Sequence, residues 1–235
     1  MQKDHTLQKI IALLPMKGNS ERVPNKNIRS FAGKPLYHRV AATLEACSRI
    51  DTIVINTDSD FIAEDATRHF SKVQIIRRPP ELQGDFVPMN DIIAYDLANT
   101  SGRHYLQTHS TNPLLTQETL EAAIERYFSV LNEYDSIFSV TRHQTRLYWE
   151  SGEPVNHNPA ELLRTQDLPP LFEENSNFFI FSQKSFAAAG NKRIGLKPLM
   201  YPMDKLEAVD IDEEVDFRLA EALYLMRAEE TDHAA

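Results

Sequence analysis

The sequence predicts an α/β protein with a doubly wound, mainly parallel sheet. Short apolar runs bounded by turn residues alternate with amphipathic segments of helical period, and this alternation is typical of parallel sheets covered by helices on both faces. A second observation is the length of 235 residues, which suits one such domain with an inserted subdomain. A third is the content of 42% hydrophobic and 25% charged residues, which indicates a packed globular chain rather than a disordered one.

The predicted strands and helices follow one another in the order that a doubly wound sheet requires. Strands are predicted at Ile10–Leu14, Thr52–Asn56, Val73–Ile76, His104–Gln107 and Asp135–Val140. Helices are predicted at Leu36–Ser48, Asp60–Phe70, Asp91–Asn99 and Gln117–Leu131. A last helix is predicted from about Glu213 to Ala228, with an inner stripe of Val215, Leu219, Leu223 and Met226. In such sheets ligands bind beyond the carboxyl ends of the strands, so the residues that follow each strand are the first site candidates.

The pattern changes after residue 141, where polar chain separates two further predicted strands, Arg146–Trp149 and Asn177–Phe181. That polar chain contains Pro159, Pro169 and Pro170. We expect residues 142–185 to form an inserted subdomain, the arm, within a single domain that spans residues 1–235. An arm of this kind can join two subunits, so a homodimer is the expected assembly.

Charge and cysteine content exclude several classes of protein. The formal net charge of −9 argues against a broad surface for nucleic acid or anionic membranes, and no apolar run approaches the roughly 18 residues of a membrane span. The first eight residues lack the apolar core of a signal peptide. The single cysteine, Cys47, is expected to be a small buried hydrophobe, with a catalytic thiol as the alternative. We therefore expect a cytoplasmic enzyme with neither nucleic acid nor membrane as a partner.

The loop after the first strand combines turn residues with positive charge. Gly18, Asn19 and Ser20 suit tight turns, and Lys17, Arg22 and Lys26 supply cations. A loop of this kind can wrap a triphosphate with backbone N–H groups and cationic side chains, although it matches neither of the common glycine-rich phosphate motifs. The alternative interpretation is an exposed basic turn.

The segment Val209–Asp212 carries the clearest metal signal. In extended chain, residues two apart point the same way, so Asp210 and Asp212 can reach one cation from the same face. Mg²⁺ prefers oxygen ligands, with one or two carboxylates completed by phosphates and waters. The alternative is that Asp212 only caps the last helix.

These motifs resemble those of the sugar-activating cytidylyltransferases, which include the acylneuraminate and ketodeoxyoctonate enzymes. In the first loop the fitting residues are Gly18, Ser20, Arg22, Pro24, Lys26 and Asn27, followed by Gly33-Lys34-Pro35-Leu36. The similarity continues at Arg78-Pro79-Pro80-Glu81-Leu82, at Gln107 to Leu114, at Arg164 to Pro170, at Glu174-Asn175 and at Asp210-Ile211-Asp212. The arm segments resemble the acylneuraminate branch more than the ketodeoxyoctonate branch, which favours nine-carbon acidic sugars.

The resemblance implies a Rossmann-like nucleotidyltransferase fold and a reaction that joins CTP to an acidic sugar, giving a CMP-sugar and pyrophosphate. It implies Mg²⁺ on Asp210 and Asp212, which are the expected catalytic residues together with Lys17 and Lys26. The nucleotide would be bound by Lys17, Gly18, Ser20, Arg22, Lys26 and Asn27, with Arg78 on the base side. The sugar would be bound by Gln107, Arg164 and Asn175, the last two within the arm.

Three departures from the family pattern leave alternatives open. Lys17 stands where the family has Arg and so lacks the bidentate fork, Met89 stands where small residues are usual, and Ser176 stands where Gly is usual. A nucleotidyltransferase for another base or sugar, or a non-catalytic sugar-nucleotide-binding protein, therefore stays possible. Arg146, Arg164 and Asn175 have a polar dimer interface as their plainer interpretation. No general base is identified, because His109, a lone histidine after a strand, is more often structural.

Overall fold

The computed structural model of the chain describes residues 8–234, and side chains as far as residue 230. The N-terminal segment used for the signal-peptide prediction lies, up to residue 7, outside the described residues. Within the described part, no helix has both the length and the apolar character that crossing a membrane requires.

Seven strands of the described chain form one sheet in the order β5-β4-β1-β6-β8-β7-β9. Neighbouring strands are parallel except where β8 pairs antiparallel with β6 and β7, so the predicted mainly parallel sheet is confirmed. The strands are β1 (Ile10–Leu13), β4 (Ile50–Thr57), β5 (Val73–Arg77), β6 (His104–Thr108), β7 (Ser136–His143), β8 (Leu171–Ser182) and β9 (Pro198–Pro202). A separate hairpin is formed by β2 (Ser30–Phe31) and β3 (Lys34–Pro35).

Helices cover both faces of the sheet, as a doubly wound fold requires. They are α1 (Tyr37–Ala46), α2 (Asp60–His69), α3 (Met89–Ala98), α4 (Gln117–Ser129), α5 (Gln183–Ala188) and α6 (Glu214–Ala234). Successive strand side chains point to opposite faces, so Ala12 of β1 lies in the core under α1, α2 and α4, while Leu13 lies in the core under α3 and α5. Cys47 is buried in the first of these cores, where burial raises the pKa of its thiol.

The order of the strands creates a crevice at one edge of the sheet. From β1 the chain first adds β4 and β5 on one side and then returns to place β6 on the other side. The carboxyl ends of β1 and β6 therefore mark the switch point, where open α/β sheets bind ligands.

One predicted strand and one predicted helix face were wrong, and the short strands β2 and β3, the edge strand β9 and the helix α5 were missed. Arg146–Trp149 is not a strand, since the arm there has only an isolated bridge from Tyr148 to Pro154. The edge strand β9 was missed because it begins and ends with proline, which edge strands tolerate. The predicted inner stripe of α6 was wrong in three of its four members, because Val215, Leu219 and Met226 are exposed. The helix instead packs Phe217 and Ala220 against the β2–β3 hairpin.

Candidate active site

A cleft of about 450 Å³ opens at the carboxyl ends of β1, β4 and β6. Its walls come from the loop after β1, from the chain before and within α3, and from the segment after β6. The residues of these walls include Lys17, Ser20, Arg22, Lys26, Asn27, Arg78, Asp85, Val87, Met89, Ile92, His109, Ser110 and Thr111. Six of the predicted nucleotide-binding residues therefore lie around one cavity.

Gly18 lets the first loop lie directly on the turn after β4. The backbone of the first strand runs along β4 as far as Met16, whose N–H donates to the carbonyl of Asn56 at 2.9 Å. The N–H of Gly18 then donates to Asp58 Oδ1 at 2.7 Å. A Cβ atom at position 18 would lie 3.0 Å from Cβ of Ser59, so a side chain there would push the loop out. Ser59 itself caps α2 by accepting from the N–H of Ile62.

Asn27 joins two edges of the cleft through both ends of its amide. Its Nδ2 donates to the carbonyl of Lys17 at 2.7 Å, and its Oδ1 accepts from Ser110 Oγ at 2.7 Å. The first loop is thereby fixed to the segment after β6. Asn27 is buried, and we attribute to its two hydrogen bonds the shape of the first loop.

The cations of the first loop meet the late aspartate segment. Lys26 Nζ donates to the carbonyl of Ile211 at 2.5 Å, and Arg22 donates to Asp212 Oδ1 at 2.6 Å. Burial lowers the pKa of Lys26, and the carboxylates of Asp210 and Asp212 oppose that shift. The convergence of Lys26 with Asp210 and Asp212, on which the sequence interpretation depended, is present in the structure.

Asp210 and Asp212 offer the oxygen atoms that a hard cation requires. Burial raises the pKa of Asp210, and the nearby charge of Asp212 raises it further, as expected for two carboxylates close together. Asn112 Nδ2 lies 3.5 Å from Asp210 Oδ1, and its buried Oδ1 has no hydrogen-bond partner among the described residues. Two carboxylates beside an unpaired amide oxygen fit a Mg²⁺-like ion.

Asp212 does not serve as the cap of α6. The N–H groups of Asp212 and Glu213 both donate to Asp216 Oδ2, at 3.1 and 2.8 Å. The Asp212 carboxylate is directed at Arg22 instead. Asp216, in the first turn of α6, thus reaches back to the chain before the helix, while the Asp212 carboxylate accepts from Arg22 and not from a backbone N–H of α6 among the described residues.

Lys17 pairs with Asp85 across the cleft. Its ammonium group donates to Asp85 Oδ1, and both side chains remain partly exposed. That hydrogen bond and the charge of Lys17 lower the pKa of Asp85. The ammonium group thus points into the cleft although Lys replaces the family's Arg.

Arg78 is a buried part of the cleft wall and not a solvated surface charge. Its Nε donates to Asn56 Oδ1 at 2.8 Å, and its NH2 donates to the carbonyl of Asn56 at 2.9 Å. Asn56 in turn donates to Asp96 Oδ1 at 2.6 Å. Burial lowers the pKa of Arg78 and raises the pKa of Asp96 to about 7. Arg78 therefore fixes this side of the cleft, because its hydrogen bonds join the end of β4 to the chain after β1.

Gln107 lies at the end of β6 and holds a cation that sequence reasoning missed. Arg193 donates to Gln107 Oε1 at 2.6 Å and stacks 3.7 Å above the ring of Phe179. Burial lowers the pKa of Arg193 to about 10, so it stays charged at neutral pH. No local sequence signal marks Arg193, because its place is set by long-range packing on β8.

His109 stands beside this cation and remains neutral. Its Nε2 lies 3.1 Å from Gln107 Nε2 and 3.4 Å from Arg193 NH1. Burial, together with the charges of Arg193 and Lys26, lowers the pKa of His109 to about 3. A histidine with so low a pKa accepts hydrogen bonds but is a weak base at neutral pH.

The two predicted sugar residues of the arm lie apart from each other. Asn175 is buried on β8, where it donates to Thr141 Oγ1 at 3.0 Å and accepts from the N–H of Asn177 at 3.2 Å. Arg164 lies on the arm surface with 73% of its side chain exposed, paired with Asp167. Within its own chain Arg164 is not among the residues that line the cleft. Ser176, which replaces the usual Gly, has the left-handed φ of 56°.

The chain is similar to known proteins over most of its length. The chain is 31% identical over 220 residues to N-acylneuraminate cytidylyltransferase A of Danio rerio, covering 90% of this chain but 50% of that relative. It is 25% identical to the pseudaminic acid cytidylyltransferase of Campylobacter jejuni subsp. jejuni serotype O:2, covering 94% of this chain and 98% of that relative. The chain thus spans about half the length of the fish relative and nearly all of the bacterial one.

A solved structure shows the same fold. It is that of CMP:2-keto-3-deoxy-manno-octonic acid synthetase complexed with CTP, which superimposes with a TM-score of 0.68 at 9% identity and covers 94% of this chain and 100% of the other. The family model described as cytidylyltransferase matches residues 11–232, in agreement with the resemblance seen in the motifs. Because that match spans nearly the whole chain, the chain belongs to the cytidylyltransferase family.

Proposed function

We propose that this chain joins CTP to an acidic sugar of the nine-carbon, sialic type, forming a CMP-sugar and releasing pyrophosphate. The observation that carries the proposal is the meeting of Arg22 and Lys26 with Asp210–Asp212 at one cleft. Cations that line a cleft, in contact with a segment that carries two carboxylates, suit a nucleotide triphosphate and its metal ion. Two relatives are named as cytidylyltransferases of N-acylneuraminate and of pseudaminic acid, and these names support the choice of sugar class.

In the proposed reaction a hydroxyl oxygen of the sugar forms a bond to the α-phosphorus of CTP. The bond from that phosphorus to the oxygen bridging to the β-phosphorus breaks, and pyrophosphate leaves with the bond electrons. Lys17, Arg22 and Lys26 neutralise the triphosphate, while the N–H groups around Gly18 and Ser20 bind phosphate oxygens. Asn27 holds the loop, and Arg78 shapes the side proposed for the base. The hydroxyl proton passes to solvent water, since the low pKa of His109 argues against it as the acceptor.

The cytidylyltransferase family generally uses a divalent metal, and we propose Mg²⁺ for this chain. Asp210 and Asp212 would hold it, and the ion would supply charge neutralisation on the phosphates. Arg22 donates to Oδ1 of Asp212, so the carboxylate can bind the ion through its other oxygen or after the pair opens. The pair is about half exposed, and exposed ion pairs of this kind contribute only about 0–1 kcal/mol.

For the sugar side we propose Gln107 and Asn175, which are buried at the end of β6 and on β8 and do not themselves line the cleft. Arg193, which donates to Gln107 Oε1, is a cation that suits a carboxylate of the sugar. Arg164 lies on the exposed arm, so we propose that it reaches a sugar only from a second subunit.

Exposed apolar side chains support a homodimer built through the arm, residues 142–185. Since β8 pairs with β6 and β7 inside the central sheet, the part of the arm outside the sheet is chiefly the chain before β8. Leu162 is 92% exposed and Trp149 is 63% exposed, and Tyr148 and Phe172 are exposed nearby. Exposed apolar groups of this size are typical of interfaces. Trp149 is the only tryptophan of the chain, so its fluorescence should shift to shorter wavelength as the protein associates. A monomer by sedimentation at all concentrations would contradict the dimer.

The function is tested by a matrix of four nucleotide triphosphates against acidic sugars, read by pyrophosphate release with Mg²⁺. We expect release with CTP and a nine-carbon acid. Preference for another nucleotide or sugar would favour the alternative nucleotidyltransferase. Tight binding of CTP without turnover with any acid would favour a non-catalytic sugar-nucleotide-binding protein. A cytoplasmic location is proposed on the single cysteine alone.

A further inference from the structure

Three side chains of metal-binding type meet between α1 and α2. His38 lies in the first turn of α1, and Asp65 and His69 lie one turn apart on α2. One nitrogen or oxygen atom from each lies within 4.8 Å of the other two. None of the three lines the cleft, so the proposed nucleotide reaction does not account for the cluster.

Both imidazoles face the same carboxylate. His38 Nε2 lies 2.6 Å from Asp65 Oδ2, and His69 Nδ1 lies 3.1 Å from Asp65 Oδ1. The two imidazole rings are only 5.0 Å apart between centroids. His69 Nδ1 is also 2.8 Å from the backbone carbonyl of Asp65. Two nitrogens and one carboxylate thus converge on a small volume.

The surroundings hold two of these side chains in place and leave the third accessible. Tyr37 donates from its hydroxyl to Asp65 Oδ2, and an outer hydrogen bond of this kind orients carboxylates that ligate metals. Phe70 packs edge-on against His38 with 5.1 Å between ring centroids. The side chains of His38 and Asp65 are 9% and 15% exposed, whereas His69 is 47% exposed. Solvent therefore reaches the cluster from the His69 side.

We propose that His38, Asp65 and His69 bind a late first-row divalent metal ion, with Zn²⁺ as the first candidate. Imidazole suits Zn²⁺, Ni²⁺ and Cu²⁺, whereas Mg²⁺ prefers oxygen ligands, so this site is distinct from the one at Asp210 and Asp212. Three protein ligands leave a fourth position for water. Because the ligands come from two helices, the bound ion ties α1 to α2 and raises the stability of the fold.

The test is a titration of the untagged full chain with Co²⁺, followed by displacement with Zn²⁺, in the absence of nucleotide and Mg²⁺. We expect visible Co²⁺ absorption from one site, its loss on addition of Zn²⁺, and a higher Tm with Zn²⁺. His69→Gln is the main variant because the side chain is half-exposed and its loss leaves the packing intact. We expect its affinity to fall by more than the roughly 10–100-fold that loss of an outer partner costs.

His143→Gln is the matched control, since His143 is also a half-exposed histidine bonded to a carboxylate, that of Glu173 at 2.7 Å. It should retain the site. Tyr37→Phe removes only the outer hydroxyl and should weaken binding by about 10–100-fold. If the wild-type chain and His69→Gln bind the same number of metal equivalents, the cluster is only a hydrogen-bonded group and the proposal is wrong. Pyrophosphate release with Mg²⁺ should be unchanged in His69→Gln, so the two proposals fail separately.

Discussion

Arg22 and Asp212 lie 190 positions apart in the chain, yet the guanidinium NH2 of Arg22 is 2.6 Å from Asp212 Oδ1. This ion pair joins the first loop of the fold to the segment before the last helix, across the mouth of the cleft. It also occupies the carboxylate that we propose as a metal ligand. Because the pair is about half exposed and therefore weak, we propose that Arg22 can leave Asp212 and contact the phosphates of the nucleotide.

Asp212→Asn should abolish turnover while leaving the fold intact. Loss of a carboxylate that holds the metal removes several kcal/mol of charge stabilisation, which corresponds to at least about 1000-fold in kcat/KM. Pyrophosphate release and circular dichroism measure the two parts of this prediction. Glu213→Gln removes the same charge from the exposed neighbour and should stay near normal. Near-normal activity in Asp212→Asn would rule out the metal role.

Lys17 should act through its charge, so Lys17→Arg should be tolerated and Lys17→Met should not. The ammonium group points into the cleft from its pair with Asp85, where a cation can neutralise the phosphate tail. We expect Lys17→Met to lower kcat/KM for CTP by about 10–100-fold. The loss should be smaller than for removal of a fully buried cation, because solvent screens the partly exposed ammonium group. Lys17→Arg should stay within about tenfold of wild type. Lys184→Met, an exposed lysine of α5, is the control, and equal losses in the two methionine variants would contradict the prediction.

Features set by local sequence were predictable, whereas features set by long-range packing were not. The buried strands, the loop with Gly18 and the aspartate pair each carry a local pattern, and the structure brings the loop and the pair together. Arg193 carries no such pattern because its guanidinium is placed by Phe179 and Gln107. The inner face of α6 was wrong for a similar reason. Its hydrophobic residues lie on several sides, and only the contact with the β2–β3 hairpin decides that Phe217 faces inward.

The buried carboxyl of Asp96 should make the stability of the protein depend on pH. Burial raises its pKa from 3.8 to about 7. Between these two pH values the folded state therefore holds a proton on Asp96 that the unfolded state has lost. The stability that the protonated carboxyl contributes is fully present below about pH 4 and is lost as pH rises through about 7. Asp96→Asn keeps the acceptor for Asn56 and cannot ionise. Its stability relative to wild type should therefore rise by at most about 1.4 kcal/mol per pH unit between those values and then level off.

Urea unfolding of both proteins at pH 5, 6, 7 and 8 measures this difference for Asp96. Asp91→Asn, at an exposed position on the same helix, is the control and should show no such trend. A difference between Asp96→Asn and wild type that does not change with pH would mean that Asp96 is ionised throughout this range.

Ser176→Gly should stabilise the protein, because Ser176 has a φ of 56°. The left-handed conformation costs an L-residue with a side chain roughly 1–2 kcal/mol, while glycine loses about 0.4–1 kcal/mol through its freer unfolded state. We expect a net gain of about 0.5–1 kcal/mol, or a rise of roughly 1–4 °C in Tm for a chain of this size. Ser176→Ala is the matched control, since it removes the hydroxyl but keeps the strain, and it should be no more stable than wild type. If Ala and Gly stabilise equally, the hydroxyl and not the backbone is the source of the effect. Asn175 neighbours this position on β8, so unchanged KM for the sugar in Ser176→Gly would further show that the local backbone survives the substitution.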